Sequence, residues 1–458
     1  MPTTWLTGAF QWPSWASSCC LGLLVCLLSL HTIEKLFVLQ TSRYTSGKQI
    51  YTTNDEAFAN FQRQYLVVYG LVMFADWLQG THMYSLYQSY DMNVGALFLT
   101  GFLSSVVFGN LVGPLVDKYG RRKACLVYCA LEIVINILEH IPIMAVLLAG
   151  RVMGGISTSL LFSAFESWMV TEHRRRGFAN SLLGKTFAHG SEINGVVAVI
   201  AGLIAQITAD VFGDIGPFRA VVIVTAIAAA FVFSWSENYG SPTKDSREEI
   251  RKLDNSEDSR VTADSGMLAD SYALGCCYSL FEGAMYVFVF LWYPTLEAVV
   301  PSGELPSGLV FSSFMLCIAI GGKLFNLVDN SCVREELLLL VTATISSISL
   351  LIPTVSENYQ YILGGFLVFE VCVGLLSPCC ATLRSKYFPK ADLCTTLSLF
   401  RLPTNILVVL GTAGASYFTS DQLYYGCSAV LVVATGCAAK LVRSSSITST
   451  PRRNRKAQ

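Results

Sequence analysis

Charge is scarce in this sequence. Asp, Glu, Lys and Arg make up 14% of 458 residues, while hydrophobic residues make up 53%. Soluble domains carry about 25% charged residues, so this chain lacks the polar surface to cover water-soluble domains, and a soluble enzyme, a disordered chain and a fibrous chain are excluded. An excess of one sign is missing too: 31 basic and 32 acidic residues leave −1, and no basic field points to nucleic acid. There is no G-x-x-x-x-G-K-S/T phosphate loop to support ATP-driven pumping, and no N-x-S/T sequon. Residues 1–34 hold no Lys or Arg, so the basic start of a secretory signal is absent. Cysteine, by contrast, is plentiful at 15. Most lie in apolar runs, and the adjacent pairs Cys19–Cys20, Cys276–Cys277 and Cys379–Cys380 do not have zinc-ligand spacing, so they read as small packing residues. No nucleophile–base or metal-ligand constellation stands out, and neither catalysis, a metal nor a cofactor is expected.

What the chain does contain is a series of apolar runs, each close to the ~20 residues a helix needs to cross a bilayer. The first covers 15–33. Twelve more lie near 62–84, 94–116, 122–141, 143–167, 186–208, 216–236, 267–293, 307–328, 335–353, 359–380, 393–416 and 421–442. A polar stretch at 237–266 divides the twelve into six and six and reads as a flexible linker. The expected organisation is an all-α polytopic membrane protein: an extra N-terminal helix and connector (1–60), a six-helix bundle (61–236), a cytoplasmic linker (237–266), a second six-helix bundle (267–442) and a basic tail (443–458). Lys and Arg collect on the cytoplasmic side of membrane proteins. With the 118–123 loop placed inside, 28 of the 31 fall on inner segments, and the others, Arg151, Arg219 and Arg401, lie within or beside spans. Both core termini are therefore expected in the cytoplasm. The plasma membrane is the expected location, although the charge rule fits an endomembrane as well.

Six plus six spans about a linker is the layout of the major facilitator superfamily. The loop after the second core span supports it: Gly113-Pro-Leu-Val-Asp117-Lys-Tyr-Gly120-Arg121-Arg122-Lys123 matches the superfamily's G-x-x-x-D-x-x-G-R-R/K-R/K signature. Its glycines would let helix ends approach, Asp117 would sit against a helix N-terminus or an Arg, and the arginines would bind carboxylates or lipid phosphates. Gly150-Arg151-Val-Met-Gly-Gly155 resembles the Arg-bearing motif of the fourth helix, whereas Gly195–Gly202 lacks the Gly-Pro motif of many antiporters. More narrowly, Ala75-Asp76-Trp77-Leu78-Gln79, the run Gly150–Trp168 with its Phe-Ser-Ala-Phe-Glu-Ser-Trp block, Trp235-Ser-Glu237-Asn238-Tyr239, Leu280-Phe-Glu282 and Phe400-Arg401-Leu-Pro403 are similar to the molybdate-anion transporter family. The similarity spans about 65–405. It implies two pseudo-symmetric bundles, a substrate site between them near the midplane, and uptake of molybdate, a tetrahedral dianion, by a monomer in the lipid bilayer.

Ionisable groups at membrane depth cost about 2–3 kcal/mol or more and mark pathways. Here they are Asp76, Arg151, Glu166, His189, Glu192, Glu282, Glu370 and Arg401. Under the molybdate reading Arg151 and Arg401 hold the oxyanion, with Asp76 and Gln79 completing the substrate site, while Glu282, Glu370, Glu166, Glu192 and His189 carry or gate protons. Arg151 could instead pair with Asp76 to hold the fold, and His189 could simply pack. Glu132 and Glu139 read as peripheral or near the outer interface. A dianion entering a cell that is negative inside works against about 2.3 kcal/mol per charge per 100 mV, so uptake needs a coupled ion. Five carboxylates (Asp76, Glu166, Glu192, Glu282, Glu370) against two arginines make an acidic lining, and protonation would reconcile it with an anion. Proton-coupled symport follows. Two alternatives stay open: a carrier of another solute, cationic or neutral, and a transporter-like receptor that binds without moving its ligand.

Overall fold

The computed structural model describes residues 12–42, 53–239, 265–300, 305–329, 333–387, 393–415 and 417–449. Most of the expected linker and the end of the basic tail, with Arg452, Arg453, Arg455 and Lys456, lie outside the described residues. All regular structure among them is helical: α1 (Ser14–Ser42), α2 (Thr53–Gly80), α3 (Met83–Ser89), α4 (Val94–Tyr119), α5 (Arg121–Leu138), α6 (Met144–Arg175), α7 (Asn180–Phe212), α8 (Gly216–Phe233), α9 (Ser265–Glu297), α10 (Ser307–Asp329), α11 (Glu335–Ser349), α12 (Ile352–Val355), α13 (Tyr359–Tyr387), α14 (Leu393–Gly414) and α15 (Ser420–Ser449).

Nine of these helices are long and apolar enough to cross a membrane on their own, and ten if the two bent segments of α4 count as one. The core helices α2 and α5 fall short because of the polar residues they carry. Arg63, Asp76 and Gln79 lie in α2, and Arg121, Arg122, Lys123 and Glu132 in α5. The run expected at 62–84 is also broken. α2 stops at Gly80, the Thr81 hydroxyl donates back to the Leu78 carbonyl (3.0 Å), and His82 opens the short α3.

The chain forms two compact units. In the first, α2 packs on α7 and α8, α5 on α6 and α8, and α4 on α6. In the second, α9 packs on α14 and α15, and α11 on α13 and α15. Four pairings of the first unit thus recur in the second. The close approaches recur too. A Cβ on Gly155 of α6 would strike Ser104 and Ser105 of α4, and a Cβ on Gly374 of α13 would strike the Ile318 backbone of α10. Helices in lipid associate through such small-residue contacts. Gly374→Val should therefore force α10 and α13 apart at a cost of about 1–3 kcal/mol or more, read as a lower melting temperature in detergent and reduced folded yield.

The first unit has an aromatic core in which Trp168 and Trp235 stack at 3.8 Å and Tyr128 meets Phe165 edge-on at 5.3 Å. The two ends of α1 fall in different units. Just before the helix, the Trp12 indole donates to Asp210 (2.6 Å) within the first unit. Farther along, Glu34 accepts from Lys323 (2.6 Å) and Asn326 (2.9 Å) of α10 within the second.

Candidate functional site

One face of α5 builds a polar stripe into the first unit. Tyr128, Glu132, Asn136 and Glu139 recur at intervals of three and four, so they share a face. All are buried, with Glu132 6% and Glu139 1% exposed. The peripheral placement expected for these two glutamates is therefore corrected: the stripe is buried against α2, α3 and α6.

At one end of the stripe, Glu139 Oε1 accepts from the Tyr87 hydroxyl (2.8 Å) and from the Arg151 guanidinium (3.4 Å). Arg151 thus pairs with Glu139 rather than with Asp76. The reason is local: α5 ends at its C-cap Glu139 and α6 begins at Met144, so the two helices run side by side and Arg151, about two turns into α6, reaches back to Glu139. Arg151 also donates to the Met83 sulfur (2.7 Å) and lies over the Tyr87 ring at 5.9 Å. Its Nε and the Glu139 Oε2 have no hydrogen-bond partner among the described residues. A thioether is a weak acceptor and 3.4 Å is long for a charge-assisted bond. The guanidinium is therefore incompletely satisfied and able to accept an anion.

Farther along the stripe, Glu132 accepts from Ser157 (2.5 Å), Gln79 (3.2 Å) and Asn136 (3.3 Å). Asn136 also donates to the Gln79 carbonyl oxygen at 3.3 Å, and Asp76 lies beside Gln79 and Glu132. Asp76, Gln79 and Arg151 therefore belong to one polar face, to which Glu132, Glu139, Asn136, Ser157 and Tyr87 contribute as well. Glu166 on α6, and His189 and Glu192 on α7, are exposed and stand apart from this network. The face of α7 that meets α2 instead uses Thr186, bonded to Gln62 (3.2 Å), and Asn194, bonded to Trp77 (2.8 Å).

In the second unit, Glu282 bonds Tyr278 (3.3 Å) and Thr404 (3.4 Å), and the Arg384 guanidinium lies over the Tyr278 ring at 4.9 Å. Glu370 on α13 is 4% exposed. Arg401 lies on α14, but its side chain is outside the described residues. A cavity of about 430 Å³ between α9, α14 and α15 is lined by apolar residues except for Gln422, so it offers no charge to an anion.

The signature loop forms a latch within the first unit. Arg121 pairs with Asp117 (2.6 Å) and with the Thr171 hydroxyl. The Glu237 carboxylate caps α5, accepting from the backbone N–H groups of Arg122 (2.8 Å) and Lys123 (3.2 Å). A carboxylate here satisfies helix N–H groups that have no partner within the helix and complements the helix dipole. Gly120 makes this possible: its φ is +110°, and a Cβ would lie 2.7 Å from the Glu237 carboxyl carbon. Gly113, expected to serve a close approach as well, faces open space. The Arg122 guanidinium bonds the Phe233 carbonyl at 2.8 Å. Next to the latch, Trp168 donates to the Ser236 carbonyl (2.8 Å) and Asn238 to the Trp168 carbonyl (3.1 Å).

Comparisons with known proteins agree on the kind of molecule this is. A family profile described as sugar transporters with 12 transmembrane helices matches residues 34–377. The molybdate-anion transporter of Xenopus tropicalis is 32% identical over 403 residues, covering 85% of each chain. That of Danio rerio is 31% identical over 421 residues, covering 83% of this chain and 86% of the other. Among solved structures, the POT family transporter PepTSo has a TM-score of 0.65 at 11% identity, covering 85% of this chain and 99% of that one, which is a likeness of fold. The chain is a multi-pass membrane transporter of the major facilitator superfamily and belongs to the family of the molybdate-anion transporters.

Proposed function

We propose that this protein imports molybdate by alternating access, driven by protons that enter with the anion. Arg151 carries the reading: it is a guanidinium within a candidate span with, among the described residues, an unpartnered Nε and one long carboxylate contact, in a chain related to carriers named for molybdate. Fork-like donors suit a tetrahedral oxyanion. Gln79 and Asp76 complete this face, and Arg401 supplies the second positive charge. Glu282 and Glu370 carry or gate the proton, as carboxylates of the second unit that lie within candidate spans; Glu166, Glu192 and His189 serve gating. The protein works as a monomer in the plasma membrane with both core termini in the cytoplasm.

Labelled molybdate uptake in cells without their own carrier tests this. Uptake at about pH 5.5 should exceed that at about pH 7.5, because protonated carboxyls accompany the anion, and excess tungstate should block it. Saturable uptake insensitive to pH would discard protons and keep the substrate. The acidic network of Asp76, Glu132 and Glu139 favours a second reading, a carrier of a cationic or neutral solute, and uptake untouched by tungstate and sulfate would move the assignment there.

A further inference from the structure

Glu139 has no task in the import scheme so far, yet its surroundings are unusual. It is the most deeply buried carboxylate of the α5 stripe, and only one of its oxygens is engaged. Oε1 takes the Tyr87 hydroxyl and Arg151, while Oε2 meets no donor among the described residues. Arg151 mirrors this with an unpartnered Nε. A settled carboxylate–guanidinium pair closes two parallel bonds of about 2.7–2.9 Å. This pair makes one contact at 3.4 Å. Each partner therefore keeps the atom needed for a second ligand: Oε2 for a proton, and Nε–H with its neighbouring N–H for an anion oxygen.

We propose that Glu139 is the built-in competitor of the transported oxyanion. Ionised, it occupies Arg151; protonated on Oε2, it releases Arg151 to the anion. This rests on the proton-coupled import proposed above. No covalent bond to the anion forms. A proton from solution cancels the carboxylate charge, Arg151 keeps its own, and one guanidinium N–H passes from Glu139 to an anion oxygen. The charged and titratable groups around Glu139 are Tyr87 and Tyr90 before α4, Arg151 of α6, and His140 and Glu132 on its own segment. Arg219 of α8 and Asp214 lie just beyond, at His140 and Tyr90 respectively. Glu132 is not the competitor, because Ser157, Gln79 and Asn136 already engage it.

The test is molybdate binding to the purified full-length protein across pH. Wild type should bind more tightly as pH falls. Glu139→Gln, permanently neutral, should bind at neutral pH on the order of tenfold more tightly than wild type, the usual size of a coupling between two sites, and should lose most of the pH dependence. An E139Q variant with the wild-type pH profile overturns the inference. If E139Q does not fold, Tyr87→Phe decides. It removes a hydroxyl that favours the ionised carboxylate, so the binding midpoint should move to higher pH, and an unmoved midpoint overturns the inference. A wild-type protein that binds no molybdate at any pH overturns the import reading and this inference with it, which separates that failure from the failure of Glu139 alone.

Discussion

Arg151→Gln should lower molybdate uptake on the order of a hundredfold or more, and should also reduce the amount of folded protein. Two effects combine. The variant loses the guanidinium assigned to the anion. It also leaves Glu139, 1% exposed, with Tyr87 as its remaining donor, and removing one partner of a buried ion pair costs about 3–5 kcal/mol. The double variant Arg151→Gln/Glu139→Gln separates them. Removing both charges should restore folding towards wild type while uptake stays abolished. Arg151→Lys should recover part of the folding and little uptake, because an ammonium keeps the charge without the fork. Uptake per surface-labelled molecule is the quantity to measure, and a normal value in the double variant would end the assignment of Arg151 to the substrate.

Glu237→Ala is expected to have the largest effect on stability outside the anion site. Its carboxylate caps the first turn of α5 at two backbone N–H groups. Hydrogen bonds to charged groups contribute about 1.5–3 kcal/mol each, and a carboxylate at a helix N-terminus adds a few tenths to about 1 kcal/mol. A loss of about 3 kcal/mol should follow. Glu237→Gln keeps an acceptor and should lose about half as much. The melting temperature in detergent measures both, and equal melting of wild type and E237A would show that the cap is dispensable.

Much of this architecture was legible because membranes impose coarse constraints. The apolar runs and the positions of Lys and Arg predicted the helix series, and the spacing Gly113–Lys123 located the latch loop. The site was less legible, for a physical reason. A carboxylate near the end of a span reads as interfacial, since sequence gives depth only to a few residues. Glu139 looked peripheral on that ground and is in fact buried by Tyr87 and Arg151. The repeat Tyr128, Glu132, Asn136, Glu139 was the available signal, visible once α5 is read by face and not by hydropathy. The partner of Arg151 lay across a short turn, where a nearby acid is easily overlooked in favour of a distant one on a better-known helix. Glu237 could not be paired with Arg122 and Lys123 from sequence at all, because 114 or 115 residues separate them and only the packing of α8 against α5 brings them together.

The stack of Trp168 on Trp235, with centroids 3.8 Å apart and planes within 15°, has an optical consequence. Indoles at this separation couple their excited states, so the pair should give a circular-dichroism couplet in the ultraviolet and quench part of its own fluorescence. Trp235 lies two residues before Glu237, and Trp168 donates to the carbonyl between them. Both signals therefore follow the geometry of the latch without an attached label, and they give this end of the first unit an intrinsic spectroscopic readout in detergent or in native membranes.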